Sequence, residues 1–245
     1  MTDHKVGTRE QWQAARDELA KLENEYAEFG RKVTEQRRRL PWVRVEKQYE
    51  FDTEDGKKTL ADLFEGRSQL LAYNIMFGPD YELGACPGCT NLGDELDPTR
   101  LHLGHSDVTL ICFSRAPIDR LTAYKQRMGW QFPYVSTYGT DFPFDFGLAL
   151  TPEQAKDVPE IMEMVENAPE WLQDWSRQVG AKLEDGLREA PSWIAFARDN
   201  GNVYHTYTVM APDPFVAPYH SFLQQRTPKP EPEEPRAWRK DEYPD

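Results

Sequence analysis

Length, composition and charge already exclude several classes of protein. The chain has 245 residues, 39% of them hydrophobic, which suffices for one large domain or for a core domain with appendages. Its formal net charge of −13 argues against a nucleic-acid-binding surface, because phosphate binding needs clustered cations. No window approaches the roughly 20 apolar residues of a membrane span, so we expect no membrane partner.

The cysteine content favours a reducing compartment. The chain carries Cys86, Cys89 and Cys112, whereas a secreted disulfide scaffold usually has a larger and even number. No apolar stretch follows residues 1–5, so we expect no signal peptide. A cytoplasmic protein is the expectation, and in that setting a CxxC pair is typical of catalysis.

The first predicted element is a long helix in an N-terminal arm, residues 1–39. Thr8-Arg9-Glu10-Gln11 has the form of a capping box. Apolar residues then recur at alternating steps of three and four up to about Arg39, as in a heptad seam. They are Trp12, Ala15, Leu19, Leu22, Tyr26, Phe29 and Val33. Two interpretations stay open: an amphipathic helix on the domain's own surface, or the seam of a homodimer.

Residues 40–226 alternate strands and helices, which is typical of a layered α/β sheet. Strands are predicted at residues 42–51, 70–77, 108–114 and 132–136, and a helix from Pro117 to Met128. Asn200-Gly201 predicts a hairpin between the last two strands. Residues 151–188 are acidic with a helical pattern, which indicates an insertion. Residues 227–245 form a predicted extended, Pro-rich tail.

The most specific motif is Cys86-Pro87-Gly88-Cys89, between a predicted buried strand and a predicted helix. Two thiols at this spacing can close a disulfide ring, and a helix N-terminus lowers the pKa of a thiol. The order strand, CxxC, helix predicts a thioredoxin-type redox site. Cys86 would be the nucleophile and Cys89 the resolving thiol. Pro87 and Gly88 would influence the relative stability of dithiol and disulfide.

Two further residues are candidates for this site. Pro191 stands just before the last hairpin, where a thioredoxin-type fold places a cis-proline loop facing the CxxC; the alternative is an ordinary proline at a strand entry. Asp80 precedes Cys86 by six residues and is a candidate proton acceptor, against a solvated loop carboxylate. Asn74, on the strand itself, cannot act as a base.

Metal binding is the rival interpretation of the CxxC. Cys86-x2-Cys89-x12-His102-x2-His105 is close to a zinc-finger spacing. The gap between the histidines is one residue too short, however, and Pro98 interrupts the helix that a finger needs. Cys112 lies within an apolar strand and is predicted to be a buried, inert thiol. No bound cofactor is expected.

Several strings together resemble a known family. They are Leu40-Pro41-Trp42-Val43, Leu60-Ala61-Asp62-Leu63-Phe64, Met76-Phe77-Gly78-Pro79, Cys86-Pro87-Gly88-Cys89, Ser114-Arg115-Ala116-Pro117, Val203-Tyr204-His205-Thr206-Tyr207 and Asp241-Glu242-Tyr243. The chain resembles a thioredoxin-like domain-of-unknown-function family whose members are often labelled predicted dithiol-disulfide oxidoreductases or isomerases. The resemblance implies a thioredoxin-like fold. Family members commonly carry His at the position of Asn74, and this departure bears on reactivity.

The combined prediction is a thioredoxin-like α/β sandwich with a helical arm and a helical insertion, acting on a protein or small-molecule disulfide. Two alternatives to this oxidoreductase stay open. One is a thiol peroxidase of related fold, although its usual Thr and Arg partners are not evident around Cys86. The other is an interaction protein whose CxxC is idle or binds zinc.

Overall fold

A computed structural model describes residues 6–210 and 239–242. The chain divides into two compact units, Met1–Pro41 and Trp42–Asp245. Most of the predicted tail, residues 227–245, lies outside the described residues. The proposed limits of the arm and of the domain stay predictions.

The first unit contains one helix, α1 (Arg9–Arg38). Its capping box is confirmed: the Thr8 hydroxyl accepts from the Gln11 N–H at 3.2 Å, and Gln11 Oε1 accepts from the Thr8 N–H at 3.0 Å. No residue of α1 is buried, and the large apolar side chains of the heptad stripe are exposed. The periodicity therefore predicted this helix from its first turn to its last.

The second unit is built on one sheet of eight strands. The strands are β1 (Val43–Arg44), β2 (Glu50–Thr53), β3 (Gly56–Thr59), β4 (Gln69–Asn74), β5 (Val108–Ser114), β6 (Tyr134–Ser136), β7 (Ser192–Asp199) and β8 (Asn202–Met210). The helices are α2 (Pro87–His105), α3 (Ile118–Met128), α4 (Phe142–Asp145), α5 (Pro152–Lys156), α6 (Pro159–Glu166), α7 (Glu170–Val179) and α8 (Leu183–Gly186), with a 3-10 turn at Asp62–Phe64. None of the helices in the described ranges is long and apolar enough to cross a membrane.

The sheet order is β1-β8-β7-β4-β5-β6-β2-β3. β4 pairs in parallel with β5, to which α2 connects it, and antiparallel with β7 on its other side. The hairpin of β7 and β8 turns at Asn200 (φ 49°) and Gly201 (φ 80°), two adjacent positive φ angles that the Asn-Gly pair tolerates. A βαβ unit followed by an antiparallel hairpin beside its first strand is the thioredoxin-like fold, as the sequence predicts.

Residues 42–51 are not one strand, contrary to the sequence prediction. β1 pairs with β8 at one edge of the sheet, whereas β2 pairs with β3 and β6 near the other edge. Tyr49 lies between them, packs on Phe142 with ring centroids 5.2 Å apart, and donates a hydrogen bond to Asp145 at 2.7 Å. The apolar residues of 42–51 therefore lie at two separate strands: Val43 in β1 is exposed, whereas Tyr49, just before β2, and Phe51, within it, are buried. Alternation alone cannot distinguish this crossing from a continuous strand.

Side chains on the two faces of the sheet form two separate hydrophobic clusters. Leu70 and Ala72 of β4 belong to one cluster, and Tyr73 and Ile75 belong to the other. The second cluster also contains residues of α2 and α3, together with both cysteines of the CxxC motif. The sheet face that carries Tyr73 is therefore the face on which the candidate site is built.

Candidate active site

Cys86 is the N-cap residue of α2. Its backbone N–H donates to the Met76 carbonyl at 2.9 Å, which ties the CxxC to the chain just beyond β4. Pro87 occupies the first helical turn, where the missing N–H costs no helical hydrogen bond. Thr90 donates to the Cys86 carbonyl from its N–H at 2.9 Å and from its hydroxyl at 3.0 Å. The first turn of the helix is thus fixed around Cys86.

Hydrogen-bond donors converge on the Cys86 thiol, which is 9% exposed. The Cys89 thiol is the principal donor, and the backbone N–H groups of Cys89 and Gly88 and the Trp175 side chain add to it. Burial opposes ionisation, but these donors prevail and lower the pKa of Cys86 to about 6. A thiol with this pKa is largely a thiolate at neutral pH.

Cys89 lies one helical turn inside the protein and is 3% exposed. Its hydrogen bond to Cys86 and its burial raise the pKa of Cys89 well above the ordinary thiol value. The Tyr73 hydroxyl donates to Cys89 Sγ at 3.4 Å. The two thiols therefore differ in their chemistry: Cys86 is nearer the surface and ionises more readily, whereas the surroundings of Cys89 favour its protonated form.

Trp175 of α7, which sequence reasoning missed, brings the predicted insertion to the dithiol. Its ring meets Tyr81 edge-on, with centroids 5.7 Å apart. The indole ring also packs against Gly186, where an added β-carbon would overlap it. The Leu83 N–H donates to the Val179 carbonyl at 3.0 Å, which fastens the loop before Cys86 to the end of α7. No motif marks this tryptophan in the sequence.

The loop that contains Pro191 reaches the same end of the sheet. Asn74 pairs in register with Ser192, and its side-chain amide donates to the Ala190 carbonyl at 2.8 Å. Pro191 therefore directly precedes β7, beside the end of the strand that leads to Cys86. Its role in substrate binding stays a prediction, and Asn74 serves here as a structural bridge between strand and loop.

The buried acid of this region is Glu189, not Asp80. Asp80 is exposed, whereas the Glu189 side chain is 1% exposed and pairs with Arg115 at 2.6 Å. Burial raises the pKa of Glu189 to about 6 against the effect of Arg115, and the charge of Asp80 raises it further. Sequence reasoning missed Glu189, although its place two residues before Pro191 was a usable signal. A proton-accepting role for Asp80 stays a prediction.

The histidines of the zinc-like spacing lie far from the thiols. Cys89 and His102 are both on α2, and 13 helical residues span about 20 Å. In residues 6–210 and 239–242, no group of three or more His, Cys, Asp or Glu side chains is placed to hold a metal. The zinc-finger interpretation of this spacing is therefore wrong.

Fold and site define a thioredoxin-like protein with a CxxC dithiol at a helix N-terminus. The chain belongs to the family described as "Bacterial protein of unknown function (DUF899)", which matches residues 1–243. A comparison with curated protein sequences gives no match.

Solved structures similar to this chain include three bacterial proteins. A cysteine-to-serine mutant of PrxQ from Xylella fastidiosa has 13% identity and a TM-score of 0.44, covering 71% of this chain and 87% of its own. Peroxiredoxin Q from Xanthomonas campestris has 14% identity and a TM-score of 0.42, covering 71% and 85%. Peroxidoxin BcpB from Mycobacterium tuberculosis has 11% identity and a TM-score of 0.41, covering 74% and 90%.

Proposed function

We propose that this protein is a thiol–disulfide oxidoreductase that works through the Cys86–Cys89 dithiol. The observation that carries the proposal is the placement of the dithiol: Cys86 is the N-cap residue of α2, and Cys89 lies buried one turn further along the helix. The two pKa values are displaced accordingly, with that of Cys86 lowered and that of Cys89 raised. A dithiol enzyme needs one ionised thiol that attacks the substrate, and a second thiol that stays protonated until it attacks the mixed disulfide. Burial alone would raise both values.

The reaction proceeds in two displacements. The Cys86 thiolate attacks one sulfur of a substrate disulfide, forms a mixed disulfide, and releases the other substrate sulfur as a thiolate that takes up a proton. Cys89 then gives up its proton and attacks Cys86 Sγ, which releases the second substrate thiol. Two electrons pass from the dithiol to the substrate, and the protein is left with a Cys86–Cys89 disulfide.

Other residues of the site assist these steps. The Tyr73 hydroxyl donates to Cys89 Sγ and would stabilise the thiolate that forms there during resolution. Gly88 is exposed between the thiols and leaves room for the substrate to approach. We assign Pro191 to the substrate-binding loop and keep Asp80 as a candidate acceptor for the Cys89 proton, together with Glu189.

The partners follow from this chemistry. The substrate is a protein or small-molecule disulfide, and the reducing cytoplasm is the compartment that would return the dithiol to its reduced form. We further propose that the exposed heptad stripe of α1 pairs with the same helix of a second copy. A seam spaced at 3.5 residues is self-complementary, and Leu22 (62%) and Phe29 (65%) are exposed on it.

The decisive experiment titrates the dithiol in glutathione redox buffers, with thiol trapping and intact-mass measurement. Wild type, Cys112→Ala, Cys86→Ser and Cys89→Ser are compared, and metal content is assayed on the same samples. We expect reversible two-electron oxidation of wild type and Cys112→Ala. Cys86→Ser and Cys89→Ser should show no such oxidation. Stoichiometric zinc, or thiols that never pair, would instead favour a metal-binding or idle CxxC.

A parallel measurement separates this activity from that of a thiol peroxidase. The reduced protein is mixed with hydrogen peroxide, and Cys86 oxidation is followed by mass. A disulfide oxidoreductase reacts with peroxide at about the rate of a free thiolate but exchanges rapidly with a disulfide. Peroxide oxidation that is orders of magnitude faster than disulfide exchange would contradict the proposal and show that the protein is a thiol peroxidase.

A further inference from the structure

The four described residues near the C-terminus, Arg239–Glu242, form a clasp against the site; we call this segment the C-terminal clasp. Its first residue, Arg239, is 3% exposed, which is rare for a charged side chain. The guanidinium donates to the Ala85 carbonyl at 2.7 Å, the Tyr124 hydroxyl at 2.9 Å and the Gln178 carbonyl at 3.2 Å. Glu242 accepts from it at 2.9 Å and neutralises its charge.

These contacts reach the backbone on both sides of Cys86. Ala85, whose carbonyl Arg239 binds, directly precedes it. The Tyr124 hydroxyl lies 2.8 Å from the Thr90 hydroxyl, which donates to the Cys86 carbonyl at 3.0 Å. A single side chain thus holds the carbonyl before Cys86 directly and the carbonyl of Cys86 through two hydroxyls.

Arg239 also binds the helix that carries Trp175. Gln178 lies three residues beyond Trp175 on α7, and its carbonyl accepts from the same guanidinium nitrogen that binds Ala85. The loop before α2 and the end of α7 are therefore joined through one nitrogen. A planar guanidinium has five N–H donors in a fixed fork and can bind several elements at once, which an ammonium cannot do at the same positions.

We propose that Arg239 is a positioning residue for Cys86, holding the loop before α2 and the end of α7 together so that the Trp175 donor and the helix N-terminus face the thiol. This role rests on the proposed dithiol function. In this role Arg239 does not contact the substrate. Instead, the C-terminal clasp completes the surroundings of a nucleophile that lies 153 positions earlier in the chain.

The remaining contacts of the clasp supply a matched control. Lys240 pairs with Asp94 at 2.8 Å, and Arg127 binds Asp241 at 2.7 Å. These pairs fasten the clasp to α2 and α3, but none touches the loop before Cys86. Because the four side chains are partly exposed, each pair contributes little to stability. A variant at Lys240 therefore disturbs the clasp without removing the bonds to the site.

The test measures the pH profile of Cys86 alkylation by iodoacetamide in the full chain, with the modified cysteine identified by mass. Arg239→Met removes the donors and keeps the buried volume, and Lys240→Met is the control. We expect Arg239→Met to move the midpoint of the profile upward from about 6 towards the free-thiol value of about 8.5. A movement of one unit slows alkylation at pH 6 roughly fivefold. Lys240→Met should keep the wild-type midpoint.

A second variant tests the positioning role of Arg239 if Arg239→Met does not fold. Tyr124→Phe deletes only the hydroxyl that joins Arg239 to Thr90, and we expect a smaller shift of the midpoint in the same direction. Folded Arg239→Met or Tyr124→Phe protein with the wild-type midpoint would overturn the positioning role and leave the oxidoreductase proposal intact. A wild-type midpoint near 8.5 would overturn both.

Discussion

The N-terminus of α2 and the middle of β5 each hold a buried cysteine, and the two behave in opposite ways. Cys112 on β5 is 0% exposed and its pKa is raised well above the ordinary value by burial. Cys86 is nearly as buried, yet its pKa is lowered, because N–H and S–H donors face its sulfur. Burial sets the penalty for charge, and the local donors decide whether the penalty is overcome.

The largest difference between the two cysteines should appear in the disulfide-exchange activity of variants in which one of them is replaced. Cys86→Ser removes the attacking sulfur, so we expect disulfide exchange and reversible oxidation to fall to background. Cys112→Ala leaves the dithiol in place and should keep the wild-type midpoint potential, at a stability cost of about 1 kcal/mol for the lost sulfur. Thiol trapping across a redox series measures the first effect, and urea unfolding measures the second. Equal loss of exchange in both variants would contradict the assignment.

The donor from α7 provides the next test. Trp175→Phe keeps an aromatic ring and removes the N–H, so the Cys86 pKa should rise and alkylation at pH 6 should slow several-fold. The reduced form then loses stabilisation, and the midpoint potential should become more negative. Trp171→Phe is the matched control, because Trp171 is on the same helix and is 50% exposed. An unshifted alkylation profile in Trp175→Phe would show that the insertion does not tune the thiol.

Gly186→Ala tests the position of the Trp175 ring by changing the residue that packs against it. The added methyl group occupies the space of the Trp175 ring, so the indole must move away. We expect the alkylation profile to shift in the direction seen for Trp175→Phe, although the N–H donor is still present in the chain. Near-ultraviolet circular dichroism would verify that the ring has moved, and a changed spectrum with an unchanged profile would refute the link.

Glu189 extends the comparison to a buried acid whose pKa is raised, because the effect of burial exceeds the opposite effect of Arg115. Its pKa is raised from the ordinary 4.5 to about 6, so the unfolded chain loses this proton first as the pH rises. The contribution of Glu189 to stability is therefore full below about 4.5 and declines through about 6, by about 2 kcal/mol in all. Urea unfolding of wild type and Glu189→Gln at pH 4.5 and 7 isolates this contribution, because groups other than Glu189 titrate alike in both proteins. The stability of wild type relative to the variant should therefore be lower at pH 7 than at pH 4.5. Parallel pH dependence in both proteins would contradict it.

The smallest effect on the thiols is expected from α1. Phe29→Glu places a charge on the exposed heptad stripe and should halve the mass in solution if a second copy pairs there. Lys32→Glu, on the same helix and outside the stripe, is the control. Light scattering reports the mass, and Cys86 alkylation should be the same in all three proteins. A monomeric wild type would remove the pairing proposal without affecting the site.

Much of the fold and the centre of the site could be predicted from the sequence, because local chemistry determines both. Asn200-Gly201 predicts its hairpin, and the order of buried strand, CxxC and helix predicts Cys86 at a helix N-terminus. Trp175 and Arg239 could not be predicted, since their roles depend on tertiary contacts with Cys86 and Ala85, which lie 89 and 154 positions away respectively. Asp80 stands at the expected spacing, but the loop exposes it, and the buried acid comes from Glu189 on a different segment.

The outermost strands of the sheet have a consequence for behaviour at high concentration. β1 has two residues, both exposed, and β3 presents Lys57 and Lys58 along its edge. Short or lysine-bearing edges are poor templates for the strand of another molecule, so they protect a sheet against edge-to-edge aggregation. In the described part of the chain, the lysines of β3 therefore give this protection at one end of the sheet, whereas at the other end β1 pairs only with Tyr204 and His205 of the nine-residue β8.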